Sequence, residues 1–99
     1  MATVTLINVL KVDPSQQEAL VALLKRNIEI VVRTLEGWRG SRLVAAQDGT
    51  SVVIHSEWET PAAVEAMRND GRMKACFAEI LKLARFESIL GETVLEESR

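Results

Sequence analysis

Cysteine is nearly absent from this 99-residue chain: Cys76 stands alone, which excludes an intrachain disulfide. That usage fits a reducing compartment. Proline occurs twice, at Pro14 and Pro61, and histidine once, at His55. The sequence has no zinc-type ligand spacing, no phosphate-cradling glycine loop and no paired-carboxylate signature. Neither sign of charge is in excess: twelve basic and fourteen acidic residues, interspersed, leave a net charge of −2. That balance offers no electrostatic reason to expect nucleic acid or an anionic membrane as partner. No apolar run approaches ~18 residues, so no transmembrane helix is expected. The first residues enter a strand pattern without a basic stretch and an apolar h-region. No signal peptide is therefore expected, and the protein is read as cytoplasmic.

What is present describes one globular domain over residues 1–99, 47% apolar and 26% charged. Residues 3–12 alternate. Val4, Leu6, Asn8, Leu10 and Val12 share one face, and Thr5, Ile7, Val9 and Lys11 the other. Asp13-Pro14 is a helix cap followed by proline at the first helical position. The helix it opens is predicted to run to about Leu35, burying Leu20, Leu23, Leu24, Ile28, Val31 and Leu35, and to end at Gly37. A second strand is expected over about 41–47 and a third over about 51–59, joined by the turn Asp48-Gly49. Thr60-Pro61 repeats the cap-then-proline start. That helix should break near Asp70-Gly71 and resume over 73–84, with Phe77, Ile80, Leu81 and Ala84 on its apolar face. A fourth strand is expected within 86–95. Repeats, low-complexity segments and linkers are all missing.

The order strand–helix–strand–strand–helix–strand is ferredoxin-like, an α+β fold whose antiparallel sheet carries helices on one face. Its other face is also apolar at Ile7, Val9 and Val53. Soluble proteins avoid exposing such a surface, so a homodimer with sheets packed face to face is expected.

Two residues break the apolar pattern. Asn8 lies mid-strand, and a buried amide without a partner costs on the order of 1–3 kcal/mol. It either lines a pocket or bonds backbone at a bulge or across the dimer. Trp58 is either a core aromatic, a pocket wall or both. His55 falls, by alternation, on the face opposite Trp58, towards the dimer side. Arg72 reads equally as a solvated residue at a helix start. Cys76 reads as a small core residue.

Four segments in sequence carry a resemblance. Val4-Thr5-Leu6-Ile7-Asn8-Val9 with Asp13-Pro14, then Leu35-Glu36-Gly37-Trp38, Glu57-Trp58-Glu59-Thr60 and Arg72-Met73-Lys74-Ala75 resemble antibiotic biosynthesis monooxygenase domains over about residues 3–86. The resemblance implies a dimeric α+β barrel with a pocket between sheet and helices in each subunit. It also implies a cofactor-free oxygenase, with molecular oxygen as co-substrate, converting phenols, anthrones or quinols to quinones. On that likeness Asn8 holds a substrate oxygen, Trp58 packs against the ring system and Arg72 supplies positive charge. Leu6, Ile54 and Phe77 are the expected substrate-contacting residues.

The chain also departs from the family pattern. Oxygenases of this type often carry a second asparagine where this sequence has Ile54. Some relatives have histidine where it has Arg72. The haem-degrading branch has its iron ligand near Phe77, and phenylalanine cannot bind iron. Two alternatives to the oxygenase remain. One is a non-oxidative polyketide cyclase or isomerase, with His55 or Arg72 assisting proton transfer. The other is a binding domain without chemistry.

Overall fold

The computed structural model describes residues 3–99. Strands β1 (Val4–Val12), β2 (Trp38–Ala45), β3 (Ser51–Trp58) and β4 (Ala84–Gly91) form one antiparallel sheet in the order β2-β3-β1-β4. Helices α1 (Gln17–Ile30), α2 (Pro61–Asn69) and α3 (Gly71–Leu83) complete the ferredoxin-like βαββαβ arrangement. No helix among the described residues is long and apolar enough to cross a membrane.

Local chemistry sets the element ends. The Asp13 carboxylate accepts from the Ser15 backbone N–H at 2.9 Å, and Pro14 opens a short 3-10 turn leading into α1. At the hairpin, Asp48 accepts from the Thr50 N–H at 2.9 Å, and Gly49 takes the positive φ of 81°. Asp70 closes α2 and opens α3, accepting from the N–H groups of Arg72 and Met73. The break expected at Asp70-Gly71 is therefore a cap shared by two helices.

Several boundaries differ from expectation. The α-helix stops at Ile30 rather than continuing to Leu35, and a 3-10 turn covers Val32–Thr34. The run Ile30-Val31-Val32 is β-branched and disfavours helix. Thr34 Oγ1 also takes the Val31 carbonyl at 2.6 Å. β2 begins at Trp38, three residues early, and its pairing with β3 is irregular between Trp38 and Gly40. β4 occupies 84–91 rather than lying within 86–95, so Ala84 starts a strand instead of ending a helix. Leu81, expected in the apolar face of α3, is 61% exposed.

The inner sheet face packs against the helices in two separate clusters. Leu10, Val12, Leu20, Leu24, Val52, Cys76 and Ile80 form one. Val4, Leu6, Val32, Trp58, Val64, Met67 and Met73 form the other. Phe77 packs against both. The outer face brings Ile7, Val9, Val44, Val53 and Ile89 together by register, with Arg42, His55, Glu57 and Glu87 around them. Val44 and Ile89 are 50% and 61% exposed.

Candidate functional site

A cavity of about 330 Å³ separates sheet from helices. That is the lower end of the usual range for small-molecule sites. Leu6, Asn8, Ile54, Ser56 and Trp58 line it from β1 and β3. Phe86 and Ser88 line it from β4, Asn27 and Ile28 from α1, Met67 and Arg68 from α2, and Met73 and Phe77 from α3. The wall is predominantly apolar, and Phe77 and Phe86 form a tilted aromatic pair with centroids 6.4 Å apart.

The strand register explains how Asn8 arrives there. Asn8 shares the inner face with Leu6 and Leu10, and stands between Ile54 on β3 and Ser88 on β4. Ser88 Oγ donates to Asn8 Oδ1. Asn8 Nδ2 donates to no protein acceptor among the described residues, so its N–H groups are free to meet a guest. Trp58 is opposite Val4, four residues away along the strand. At ~3.3 Å per residue, the backbone positions of Asn8 and Trp58 are roughly 13 Å apart along the strand direction, so the two residues line different parts of the cavity wall.

Trp58 is 1% exposed and fixed by a chain of hydrogen bonds. Its Nε1–H donates to Ser56 Oγ at 3.1 Å, and Ser56 Oγ donates to the Leu6 carbonyl at 3.4 Å. No buried side-chain polar atom lacks a partner among the described residues. On the helix side, Asn27 Nδ2 donates to Met73 Sδ at 3.4 Å.

The structure therefore brings Asn8, Trp58, Leu6, Ile54 and Phe77 to one cavity. It does not bring Arg72 there. The Arg72 guanidinium reaches Asp70 and Thr34 Oγ1, each at 3.4 Å, and its side chain is 56% exposed. Residue 72 belongs to the first turn of α3, and its arm folds back onto the cap. The Arg72 hydrogen bond, helped by the N–H groups of the cap, holds the Asp70 carboxyl below its ordinary range. His55 lies on the outer face, 3.8 Å from Glu57 Oε1. Cys76 is buried in the first core cluster, and burial pushes its thiol pKa up. Among the described residues, no three His, Cys, Asp or Glu side chains gather as metal ligands.

Arg68, Asn27, Ser56, Phe86 and Ser88 were not singled out from sequence. One signal for Arg68 was available: Val64, Met67 and Arg68 fall at i, i+3 and i+4, so a charge sits on the buried stripe of α2. Ser88 carried a weaker one, alternating with Phe86 and Leu90 on an unbroken strand.

Known proteins share this chain's family and fold. The family model described as antibiotic biosynthesis monooxygenase matches residues 3–79. A monooxygenase from Streptomyces coelicolor, ActVA-Orf6, solved with the ligand nanaomycin D, superposes with a TM-score of 0.89 at 20% identity, over 99% of this chain and 93% of that one. SnoaB from Streptomyces nogalater, a cofactor-independent oxygenase, gives 0.80 at 19% identity, over 97% of each chain. Rv0793 from Mycobacterium tuberculosis gives 0.83 at 22% identity, over 98% and 100%. At these identities the structural likeness is one of fold. No match is found among curated proteins.

Proposed function

The chain belongs to the antibiotic biosynthesis monooxygenase family, and from that premise we propose that it is a cofactor-independent oxygenase of a planar aromatic substrate. The substrate is a phenol, anthrone or quinol, and the product is the quinone. One observation carries this reading: a cavity walled by Trp58, Phe77 and Phe86 and lined by the amide of Asn8, whose Oδ1 is engaged by Ser88 and whose N–H groups have no protein acceptor among the described residues. The S. coelicolor relative bound to nanaomycin D and the S. nogalater cofactor-independent oxygenase support it at the level of the family.

The chemistry asks for binding, charge stabilisation and exclusion of water. An ionised phenol or anthrone is electron-rich enough to reduce dioxygen itself. Asn8 Nδ2 would donate to the substrate oxyanion and favour the ionised form. For a phenol or an anthrone, electron transfer to O2 and recombination form a carbon–oxygen bond at the activated ring carbon. The O–O bond then breaks and water leaves. For an anthrone, the methylene and O2 become a carbonyl and one water, so the substrate supplies all four electrons; a quinol forms no new carbon–oxygen bond and passes two electrons and two protons to O2, leaving the quinone and hydrogen peroxide. Trp58, held by Ser56, would position the ring system.

Non-oxidative proton transfer has less to stand on, since His55 faces away from the cavity and Arg72 lies outside it. The outer face, with Ile7, Val9, Val44, Val53 and Ile89, is the surface on which two copies would pair to complete a dimeric α+β barrel. Light scattering tests the pairing: Ile7→Glu should convert a dimer to monomer. Oxygen uptake by the metal-free protein on a panel of anthrones and hydroquinones tests the chemistry. Uptake above the spontaneous rate, lost in Asn8→Ala, is expected. Binding of the panel without uptake would refute the oxygenase.

A further inference from the structure

Among the described residues, Arg68 is the one charged side chain on the cavity wall; the other lining residues are neutral. It occupies the last turn of α2, where the helix dipole favours a cation. Its side chain is 38% exposed, so it stands where cavity meets solvent. Its partner is Glu65, one helical turn back, with Nη1 and Oε1 3.3 Å apart. Glu65 is 67% exposed and is not part of the wall. A solvent-exposed pair of this kind contributes little, so a guest anion can displace Glu65 at small cost. Asp70, the other acid near the end of α2, is engaged by the cap of α3 and by Arg72.

We propose that Arg68 is a specificity-determining residue that selects aromatic ligands carrying a carboxylate, which it binds by exchanging its bond to Glu65. This rests on the proposed aromatic occupant of the cavity and does not depend on oxygen chemistry. The guanidinium fork suits a carboxylate better than a point charge does. The ring system would lie against Trp58, Phe77 and Phe86, with the acid group at the mouth.

The test is a matched pair of ligands measured by calorimetry at neutral pH. Rhein is a dihydroxyanthraquinone bearing a carboxylate; aloe-emodin has a hydroxymethyl group in its place. Wild-type protein should bind rhein about tenfold more tightly, and Arg68→Gln should abolish that preference with less than about a twofold change for aloe-emodin. Arg68→Lys should restore part of the preference. Glu65→Gln, which removes the competitor, should strengthen rhein binding by about threefold. Equal affinity for the two ligands overturns the proposal, as does a preference that survives in Arg68→Gln or a failure of rhein to bind. Oxygen uptake on a neutral anthrone, which carries no acid, reports on the oxygenase separately.

Discussion

Removing the Ser88 hydroxyl takes from Asn8 Oδ1 the donor that fixes its amide. A neutral hydrogen bond of this kind is worth ~1 kcal/mol, so Ser88→Ala should lower the enzyme-dependent oxidation rate about fivefold. Asn8→Ala removes the donor to the developing oxyanion itself. Losing one such donor costs on the order of 10²–10³ in rate. Asn8 is half-buried, which places its effect near the lower value. The informative variant is the double one. If Ser88 acts only through Asn8, the combined loss equals that of Asn8→Ala alone, about 10²-fold, not the product of about 500-fold. The assay is oxygen consumption against an anthrone, with circular dichroism to show that each variant is folded. Losses that multiply would refute the reasoning, because Ser88 would then touch the substrate or hold the fold independently.

Trp58→Ala should weaken ligand binding more than His55→Ala, and should cost about 3–5 kcal/mol in stability because the indole is 1% exposed. The reverse order in a calorimetric titration would contradict the face assignment of β3. Gly37 has a φ of 86°, and an added Cβ would lie 2.5 Å from Ala63 Cβ. Gly37→Ala is therefore expected to destabilise by about 2–4 kcal/mol, read as a lower urea midpoint at unchanged slope. The hydrogen bond from Arg72 chiefly holds the Asp70 carboxyl below its ordinary range. A depressed folded pKa contributes stability that is complete above the unfolded value and is lost as pH falls through the folded one. Asp70→Asn should accordingly flatten the acid limb of a stability–pH profile below about pH 4, where wild type loses stability.

The element order and sheet face were legible because both follow from periodicity. Alternation put Asn8 and Trp58 on the helix-covered side and His55 on the other, and the register bears this out. Caps were legible for the same local reason, since Asp13-Pro14, Asp48-Gly49 and Asp70 each act within three residues. Ends set by tertiary context were not. The early start of β2 accompanies an irregularity in its pairing with β3, and the end of α1 depends on how β-branched residues resolve into a 3-10 turn. Arg72 was placed by its neighbours in the chain, whereas the side of α3 it occupies depends on where Asp70 caps that helix. Arg68 is separated from Asn8 by sixty residues and joins it only across the cavity. No local pattern conveys that meeting.

The divided core has a thermodynamic consequence. Two apolar clusters joined through Phe77 leave between them a space that the chain does not fill, so a guest of the right shape supplies the missing packing. Occupancy is then linked to folding. At a ligand concentration of a hundred times Kd, binding adds ~2.7 kcal/mol, which for a domain of this size raises the melting temperature by roughly 10–20 °C. Melting a library of aromatic acids and phenols with the protein thus ranks its ligands before any product has been identified. The gap in the core makes the fold its own reporter of what belongs in it.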